Sequence, residues 1–321
     1  MNPTKAAKFY CPVLTIFNDD GTLDLPGNRA LWDSIIGGGI DGIVLMGSTG
    51  EFFAMPDAQK RELIAEAVDW RCRMTGEHGV PVVSGQPAAS STDAVELIVG
   101  TACLRVDDTI ELSNYALDAG ADAVMVVPPY YFALDDEAIF AFFDAVAEGV
   151  HGPLYLYNFP ARTGYDIGVA VTRRLLEKHP HIVGFKDTVT EVGHTRALAA
   201  HLLPDFPDFQ ILAGFDEWGH RVVTSGGAGV IGGLSNLYPE ICAAYMAAIN
   251  SGDAAEIAVQ QRKVDLMMDF YTLGSPFVPI LKSALKMRGL IGSDYCIPPV
   301  QPATPRQRGA IKQLMDQVEG R

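Results

Sequence analysis

Short runs of β-branched and apolar residues alternate with longer helix-like stretches along most of the chain. This alternation is typical of a parallel sheet, because parallel neighbours must be joined by a long crossover that is usually a helix. Eight such units over roughly 230 residues match the size of a (β/α)8 TIM barrel, an α/β fold. Seven strands are predicted directly, at Tyr10–Thr15, Gly42–Met46, Ala123–Val127, Leu154–Tyr157, Ile182–Lys186, Gln210–Ala213 and Gly229–Gly232.

The strand between the second and third of these has two candidates, Val80–Gly85 and Val95–Thr101. We favour the second candidate because it continues directly into a helix and then into the next strand. Residues 74–94 are then predicted to be an insertion with a strand-like piece of its own.

After Gly233 the strand pattern ends and only helical periodicity continues. We therefore predict a barrel of residues 1–235 that carries the active site, followed by a C-terminal helical region of residues 236–321. The helical segments are predicted at residues 239–273, 276–290 and 304–320.

The composition indicates a globular cytoplasmic protein and argues against several classes of partner. A net charge of −15 leaves no basic surface to displace counterions from a nucleic acid or an anionic membrane. The N-terminal apolar run is short and interrupted by Pro12, unlike a signal peptide or a membrane span. The five cysteines are scattered without a CxxC pair, which favours reduced thiols over disulfides or a zinc site.

The C-terminal ends of the predicted strands carry the residues whose side chains can act in catalysis or bind a substrate. Active sites of such barrels form at these ends. Here they bring together a lysine, several tyrosines, an arginine and two hydroxyls flanked by glycines. The segments concerned are Gly47–Glu51, Pro128–Phe132, Tyr157–Gly164, Lys186 and Gly232–Asn236.

Lys186 stands at the end of the apolar run Ile182–Phe185, where an ammonium group is costly. Burial favours the uncharged amine, and an uncharged amine can attack a carbonyl carbon to form a Schiff base. The alternative is a lysine that extends to the surface or pairs with Asp187.

Two hydroxyls, those of Ser48 and Thr49, lie between Gly47 and Gly50. Together with backbone N–H groups, such hydroxyls can hold a carboxylate, although glycine and serine also form ordinary turns.

Tyr157 lies one strand–helix unit before Lys186, where its phenol can pass a proton to and from a carbonyl oxygen. The alternative is a core tyrosine with a satisfied hydroxyl. Arg162 follows five positions later and can bind a second carboxylate with both arms of its guanidinium. The alternative for Arg162 is a surface salt bridge.

Taken together, these segments resemble the dihydrodipicolinate synthase / N-acetylneuraminate lyase family of pyruvate-dependent class I aldolases. The resemblance covers nearly the whole chain, and its motifs occur in the order and spacing of the family. They are PVLTIFNDDGTLD, GSTGEFFAM, GADAVMVVPPYY, YNFPARTG, GFKDT and GGAGVIGGLSN.

The resemblance implies a role for each site residue. Lys186 forms the Schiff base with pyruvate or another 2-oxo acid, and Thr49 holds the pyruvate carboxylate. Ser48 passes protons with Tyr157, and Tyr131 completes this relay from a neighbouring subunit. The resemblance also implies a homotetramer, built as a dimer of dimers, without a metal or an organic cofactor. Its further substrate-binding residues are Gly47, Gly50 and Ile231.

The chain departs from the family pattern at three points. Ser48 replaces a threonine but keeps the hydroxyl, so the proton relay is retained. The predicted insertion at residues 74–94 is not part of the common pattern. The histidines that help some synthases bind lysine as an inhibitor are not matched, since Asp57 and Lys60 stand in that region. Inhibition by lysine is therefore not expected.

Two substrates fit the resemblance. Arg162 resembles the arginine with which dihydrodipicolinate synthases meet the carboxylate of aspartate semialdehyde. YNFPA, GFKDT, GFDEWGH and SPFVPILKSAL instead resemble the 2-keto-3-deoxygluconate aldolases. A buried guanidinium needs an anionic partner, so 4-hydroxy-tetrahydrodipicolinate synthase is the favoured prediction and the sugar-acid aldolase the alternative.

Two non-aldolase alternatives are less favoured. A non-catalytic binding barrel would lack Lys186 or Tyr157, and both are present. A phosphate-binding barrel would want a glycine-rich cradle after strands seven and eight. The segment GGAGVIGGLSN can be interpreted so, but the resemblance explains it as barrel wall and pocket floor.

Overall fold

The computed structural model of the chain describes residues 6–75 and 95–321. Within these residues, eight strands form a closed barrel in chain order, and the first strand pairs parallel with the second, as do the third to the seventh with one another in sequence. The prediction of a (β/α)8 barrel is confirmed. The strands are β1 Lys8–Pro12, β2 Gly42–Leu45, β3 Glu96–Gly100, β4 Ala123–Val126, β5 Leu154–Asn158, β6 Ile182–Asp187, β7 Gln210–Ala213 and β8 Gly229–Ile231.

Helices connect the strands and continue after the last one, which confirms the predicted C-terminal helical extension. Short 3-10 helices at Ser48–Gly50, Asp216–Trp218, Gly233–Asn236 and Asp269–Tyr271 supplement them. The α-helices of the described residues are α1 Leu25–Gly37, α2 Asp57–Thr75, α3 Val106–Ala119, α4 Asp136–Gly149, α5 Pro160–Thr163, α6 Val169–Lys178, α7 Gly193–Leu202, α8 Gly219–Thr224, α9 Pro239–Ser251, α10 Ala254–Met268, α11 Val278–Met287 and α12 Pro305–Val318.

Helix α4 illustrates why these segments are helical. The Asp135 side chain accepts a hydrogen bond from the backbone of Ala138, and this satisfies one of the free N–H groups at the helix start. Apolar side chains then recur every three or four positions and form one buried stripe. Its members are Ile139, Phe142, Phe143, Val146 and Ala147.

The strand that the sequence left ambiguous is β3, so the favoured candidate is confirmed. The other candidate, Val80–Gly85, lies outside the described residues. The predicted insertion at residues 74–94 begins too early, because Met74 and Thr75 are the last residues of α2. Its remaining residues lie outside the described part of the chain.

The first strand ends at Pro12, three residues before the predicted Thr15. Beyond Val13 the backbone leaves the sheet, because asparagine side chains take over its hydrogen bonds. Leu14 N donates to Asn236 Oδ1 at 2.9 Å, and Ile16 N donates to Asn28 Oδ1 at 3.0 Å. Such side-chain partners cannot be read from apolar alternation.

The chain forms two compact units. One unit is Ile64–Gly229, and its strands are buried along nearly their whole length, as expected for parallel strands covered by helices. The other unit comprises the chain up to Leu63 together with Val230–Arg321. The predicted helical segment 239–273 is divided there into α9 and α10 by Gly252, whose φ of 72° is left-handed.

A membrane-spanning helix would have to be both long and apolar. None of the helices in residues 6–75 and 95–321 meets both conditions.

Candidate active site

Lys186 and Tyr157 are partners in the register of β5 and β6. Lys186 is only 4% exposed, and its Nζ lies 4.4 Å from the centre of the Tyr157 ring. Successive residues of a strand face opposite sides. Lys186 and Tyr157 therefore share one face of the sheet, while their successors Asp187 and Asn158 share the other.

The Lys186 amine has no hydrogen bond or ion pair with any residue in 6–75 or 95–321. The carboxylate of Asp187 is occupied by other groups on the opposite face. It accepts hydrogen bonds from Asn158 Nδ2 at 2.8 Å, Thr195 Oγ1 at 2.6 Å and a ring nitrogen of His194 at 2.9 Å. The structure therefore shows neither of the two alternatives, a lysine that reaches the surface or a lysine paired with Asp187.

The hydrogen bonds around Asp187 fix the ends of the two strands. Asn158 Nδ2 also donates to Asp166 at 2.9 Å, and its Oδ1 accepts from Ile167 N at 3.0 Å. Burial acts to lower the pKa of His194, but the hydrogen bond to Asp187 and the charges of Asp187 and Asp166 outweigh it. The pKa of His194 is raised above its usual value. This hydrogen-bond network therefore holds the end of β6 in place on the face opposite Lys186.

Aromatic rings continue from Tyr157 toward Arg162. The Tyr157 ring stacks on Phe159 at 6.0 Å, and Phe159 meets the ring of Phe215 edge-on at 6.4 Å. The Arg162 guanidinium lies 5.2 Å from the centre of the Phe159 ring. Arg162 itself is exposed in the single chain. The expectation of a buried guanidinium is therefore wrong, because α5 turns this side chain outward over Phe159.

Thr188 is a site candidate that the sequence analysis missed. It is buried, and its hydroxyl has no hydrogen-bond partner among the described residues. Alternation along an extended chain places it on the same side as Lys186. A Cβ at Gly214 would lie 1.9 Å from Thr188 Oγ1, so the glycine leaves room for this hydroxyl. The sequence feature that indicates this position is its two-residue spacing from Lys186, because alternate residues of an extended chain face the same side.

The exposed aromatic pair Tyr131 and Phe132 follows β4. Tyr131 is 82% exposed, and its ring meets that of Phe132 edge-on at 4.9 Å. A preceding carbonyl, that of Pro129, accepts a hydrogen bond from the hydroxyl of Tyr165. Tyr131 therefore points outward in the single chain, and the hydrogen bond to Pro129 fixes the segment just before it.

In the other unit, Ser48 and Thr49 lie in the 3-10 helix that follows β2. Ser48 is half-buried and Thr49 is buried. The Thr49 hydroxyl makes no hydrogen bond with the part of the chain that the structure describes. Two residues near its ends have left-handed backbones, Met46 with φ 50° before the N-cap Gly47 and Glu51 with φ 58° at the C-cap. Left-handed φ values are uncommon outside glycine and concentrate at functional sites.

The glycines of this segment differ in importance. A Cβ at Gly50 would lie 3.2 Å from both Thr15 Oγ1 and the carbonyl oxygen of Val13, so a larger residue would crowd the turn. A Cβ at Gly47 would make only an ordinary contact at 3.7 Å. Ile231, the third residue predicted from the resemblance to line the site, ends β8 and is fully buried.

Similarity to known proteins extends over nearly the whole chain. A sequence profile of the dihydrodipicolinate synthetase family matches residues 5–97 and 83–318. YagE of Escherichia coli K12, provisionally named a 2-dehydro-3-deoxy-D-gluconate aldolase, is 32% identical over 308 residues, which are 96% of this chain and 95% of YagE. The 4-hydroxy-tetrahydrodipicolinate synthase of Nitrosospira multiformis is 33% identical over 307 residues, which are 95% of this chain and 93% of that synthase.

A solved structure agrees with these sequence matches. The crystal structure of YagE in complex with pyruvate superposes with a TM-score of 0.88 at 31% identity and covers 98% of both chains. The chain therefore belongs to the dihydrodipicolinate synthetase family, and it is a lyase of the class I aldolase type.

Proposed function

We propose that the chain joins pyruvate to an aldehyde, or releases pyruvate from the product, through a Schiff base on Lys186. The observation that carries this proposal is the buried amine of Lys186, which lies over the Tyr157 ring without a hydrogen bond or ion pair from the described residues. A lysine without a counter-ion is available to bond to a substrate carbon. The matching crystal structure of YagE is a complex with pyruvate.

The chemistry balances without an added cofactor. The amine adds to C2 of pyruvate, and loss of water gives a protonated Schiff base. This cation withdraws electrons from C3, which loses a proton to give an enamine. The enamine carbon then attacks the aldehyde carbon, whose oxygen takes up a proton, and water finally releases the product from Lys186. Because the Schiff base supplies the electron sink itself, we propose that no metal or organic cofactor takes part.

The remaining site residues are assigned by the family resemblance. Thr49 is proposed to bind the pyruvate carboxylate, with Gly47 and Gly50 shaping its turn and Ile231 forming an apolar wall. Ser48, Tyr157 and a neighbouring subunit's Tyr131 are proposed to pass the protons. The hydroxyl of Thr49, which makes no hydrogen bond with the described residues, and the outward position of Tyr131 support these roles. We accordingly propose a homotetramer, built as a dimer of dimers, in the cytoplasm.

For the aldehyde, we propose a hydroxylated sugar-acid fragment, which makes the enzyme a 2-keto-3-deoxy-sugar-acid aldolase. The supporting observation is Thr188, whose buried hydroxyl lacks a partner on the side of the strand that carries Lys186. Leaving such a group unpaired costs free energy, so a substrate hydroxyl there would be favoured. The name of YagE points to the same substrate class.

A second candidate is 4-hydroxy-tetrahydrodipicolinate synthase, with aspartate semialdehyde as the aldehyde. Arg162 supports it, because its exposed guanidinium is oriented by Phe159 and can meet a second carboxylate. The 33% identity with the synthase of Nitrosospira multiformis supports it equally at the level of the family.

A panel of aldehydes assayed with pyruvate separates the two candidates. The panel contains glyceraldehyde, glycolaldehyde, N-acetylmannosamine and aspartate semialdehyde. The aldolase proposal expects the highest kcat/KM with glyceraldehyde or glycolaldehyde, and a preference for aspartate semialdehyde would establish the synthase instead. Borohydride added with pyruvate should first trap an adduct on Lys186, and a trapped adduct on another lysine would contradict both.

A further inference from the structure

Glu51, two residues after Thr49 in the chain, is one partner of a fully buried ion pair. Lys282 Nζ donates to Glu51 Oε1 at 2.5 Å, and the two side chains are 0% and 1% exposed. The partners are 231 positions apart, so this pair joins the turn after β2 to helix α11 of the C-terminal region. Both residues belong to the same compact unit.

Each charged group of the pair has additional partners. Lys282 Nζ also donates to the carbonyl oxygen of Tyr295 at 2.8 Å and lies 4.7 Å from the centre of the Phe17 ring. Glu51 Oε2 accepts a hydrogen bond from Ile297 N at 2.8 Å. The carboxylate is therefore held from two directions, by α11 and by the chain that follows it.

Stability alone does not account for this arrangement. Two buried charges commonly stabilise a fold no better than an apolar pair of the same size, because both must be removed from water. What a buried ion pair with several hydrogen bonds provides is a defined position. Glu51 requires such support, since its φ of 58° is left-handed and costs free energy in a residue other than glycine.

We propose that Glu51 and Lys282 are positioning residues that fix the hydroxyls of Ser48 and Thr49 for the pyruvate carboxylate and the proton relay. This inference rests on the function proposed above for those two hydroxyls. The backbone between the hydroxyls and the pair is short, and Gly50 O within it is also held by Thr15 Oγ1 at 2.9 Å. Rotation of the Glu51 backbone would carry Thr49 with it. The C-terminal helices thus support the substrate site through one carboxylate.

The first test measures how readily the turn around Ser48 and Thr49 opens in the absence of substrate. Lys282→Met removes the ammonium but keeps an unbranched apolar side chain of similar length. The matched control is Lys286→Met, one turn later on α11, which removes a 46% exposed partner of Asp294 while Arg308 still pairs with that carboxylate. Amide hydrogen exchange followed by mass spectrometry should become at least roughly tenfold faster across residues 46–54 in Lys282→Met, and stay unchanged there in the control.

The second test asks whether the effect passes through Thr49. Lys282→Met should raise the KM for pyruvate roughly tenfold and change kcat less, as expected for a displaced hydrogen-bonding group. In a double-mutant cycle with Thr49→Val, the second substitution should add little, because the displaced hydroxyl is already gone. Additive effects, or an unchanged pyruvate KM with faster exchange, would overturn the positioning role.

A second variant covers the case in which Lys282→Met does not fold. Glu51→Gln keeps the shape of the side chain, and its single carbonyl oxygen can accept from either Ile297 N or Lys282 Nζ but not in the geometry of both. The variant therefore removes the ion pair and leaves no charge on the turn, while Lys282 Nζ keeps the carbonyl oxygen of Tyr295 as an acceptor. It should also show faster exchange across residues 46–54 and a higher KM for pyruvate. Unchanged values for both readouts in a folded Glu51→Gln variant would contradict the inference.

The failures of the two proposals are distinguishable. If wild-type protein forms no borohydride adduct with pyruvate, the proposed function fails, whatever the exchange at residues 46–54. If the adduct forms and Thr49→Val impairs it, while Lys282→Met changes neither exchange nor KM, then only the positioning role fails.

Discussion

Tyr157 and Lys186 occupy matching positions on neighbouring strands, so that the amine of one lies 4.4 Å above the ring of the other. An aromatic face attracts a cation without donating or removing a proton. The ring can therefore accommodate the ammonium and, in the mechanism proposed above, the cationic Schiff base that replaces it. Proton transfer is the role that the proposed mechanism gives to the phenol of Tyr157.

Replacing Lys186 with Met should abolish turnover by roughly 10⁴-fold or more, because only the nucleophile is removed. The circular dichroism spectrum should match that of the wild type. Borohydride reduction in the presence of pyruvate, followed by peptide mass spectrometry, should find no adduct. Lys178→Met is the control, since Lys178 forms exposed ion pairs with Asp144 and Glu148. Normal trapping in Lys186→Met would refute the Schiff base at this position.

Tyr157→Phe keeps the ring beside the amine and removes only the phenol oxygen. We expect kcat to fall roughly 10²- to 10⁴-fold, the usual range for loss of a general acid–base group. The KM for pyruvate should change little, as should the midpoint of thermal unfolding. Steady-state kinetics with saturating aldehyde would measure this, and an unchanged kcat would assign the proton transfers to another group.

Thr188→Val should increase stability and reduce activity. Replacing a buried, unpaired hydroxyl by an apolar group of the same shape relieves its desolvation, which is worth about 1 kcal/mol in the free energy of unfolding. With a hydroxylated aldehyde, kcat/KM should fall roughly tenfold, while trapping of pyruvate stays normal. Urea unfolding and the aldehyde assay measure the two effects. Thr188→Ser, which keeps a hydroxyl, should retain the activity; equal activity in Thr188→Val would remove Thr188 from the aldehyde site.

Arg162→Leu should discriminate between the two proposed aldehydes. If aspartate semialdehyde is the substrate, its kcat/KM should fall roughly 10- to 100-fold, since a charged hydrogen-bond partner of the carboxylate is lost. Adduct formation with pyruvate should be unaffected. Similar losses for glyceraldehyde and aspartate semialdehyde would show that Arg162 does not read a second carboxylate.

His194 should make the protein less stable as pH rises. Its pKa is raised in the folded state, so the folded state holds the proton more tightly than the unfolded state. The stabilisation is fully present below the unfolded value of about 6.5 and is lost as pH rises through the folded pKa. His194→Gln should remove this dependence. Urea unfolding of both proteins from about pH 5.5 upward measures the free energy of unfolding against pH. The difference between the two profiles reports on His194 alone, because His181, whose pKa is lowered by burial, is present in both proteins. Parallel pH profiles would contradict the assignment.

The barrel and its strand order could be predicted because each strand signal is local. The lysine at the end of β6 could be predicted for the same reason, since a charge after an apolar run is visible in a few residues. The pair of Glu51 and Lys282 could not, because its partners are separated by most of the chain and only the fold brings them together. The exposure of Arg162 depends on the direction of the short helix α5, which the motif around it does not specify.

The opposite orientation of Lys186 and Asp187 has a consequence for folding. A slip of β6 by one residue against its neighbours would turn every side chain to the other face, and would place the Asp187 carboxylate where the Lys186 amine, the proposed nucleophile, now lies. Such a misaligned barrel could be nearly as compact as the native one and yet be chemically inert. Asn158 donates to Asp187 across the observed register of β5 and β6, in which these two residues are partners. His194 and Thr195, from the segment that follows β6, bind the same carboxylate. These hydrogen bonds favour the native register of β6, so residues on the face opposite Lys186 help to set which way Lys186 points.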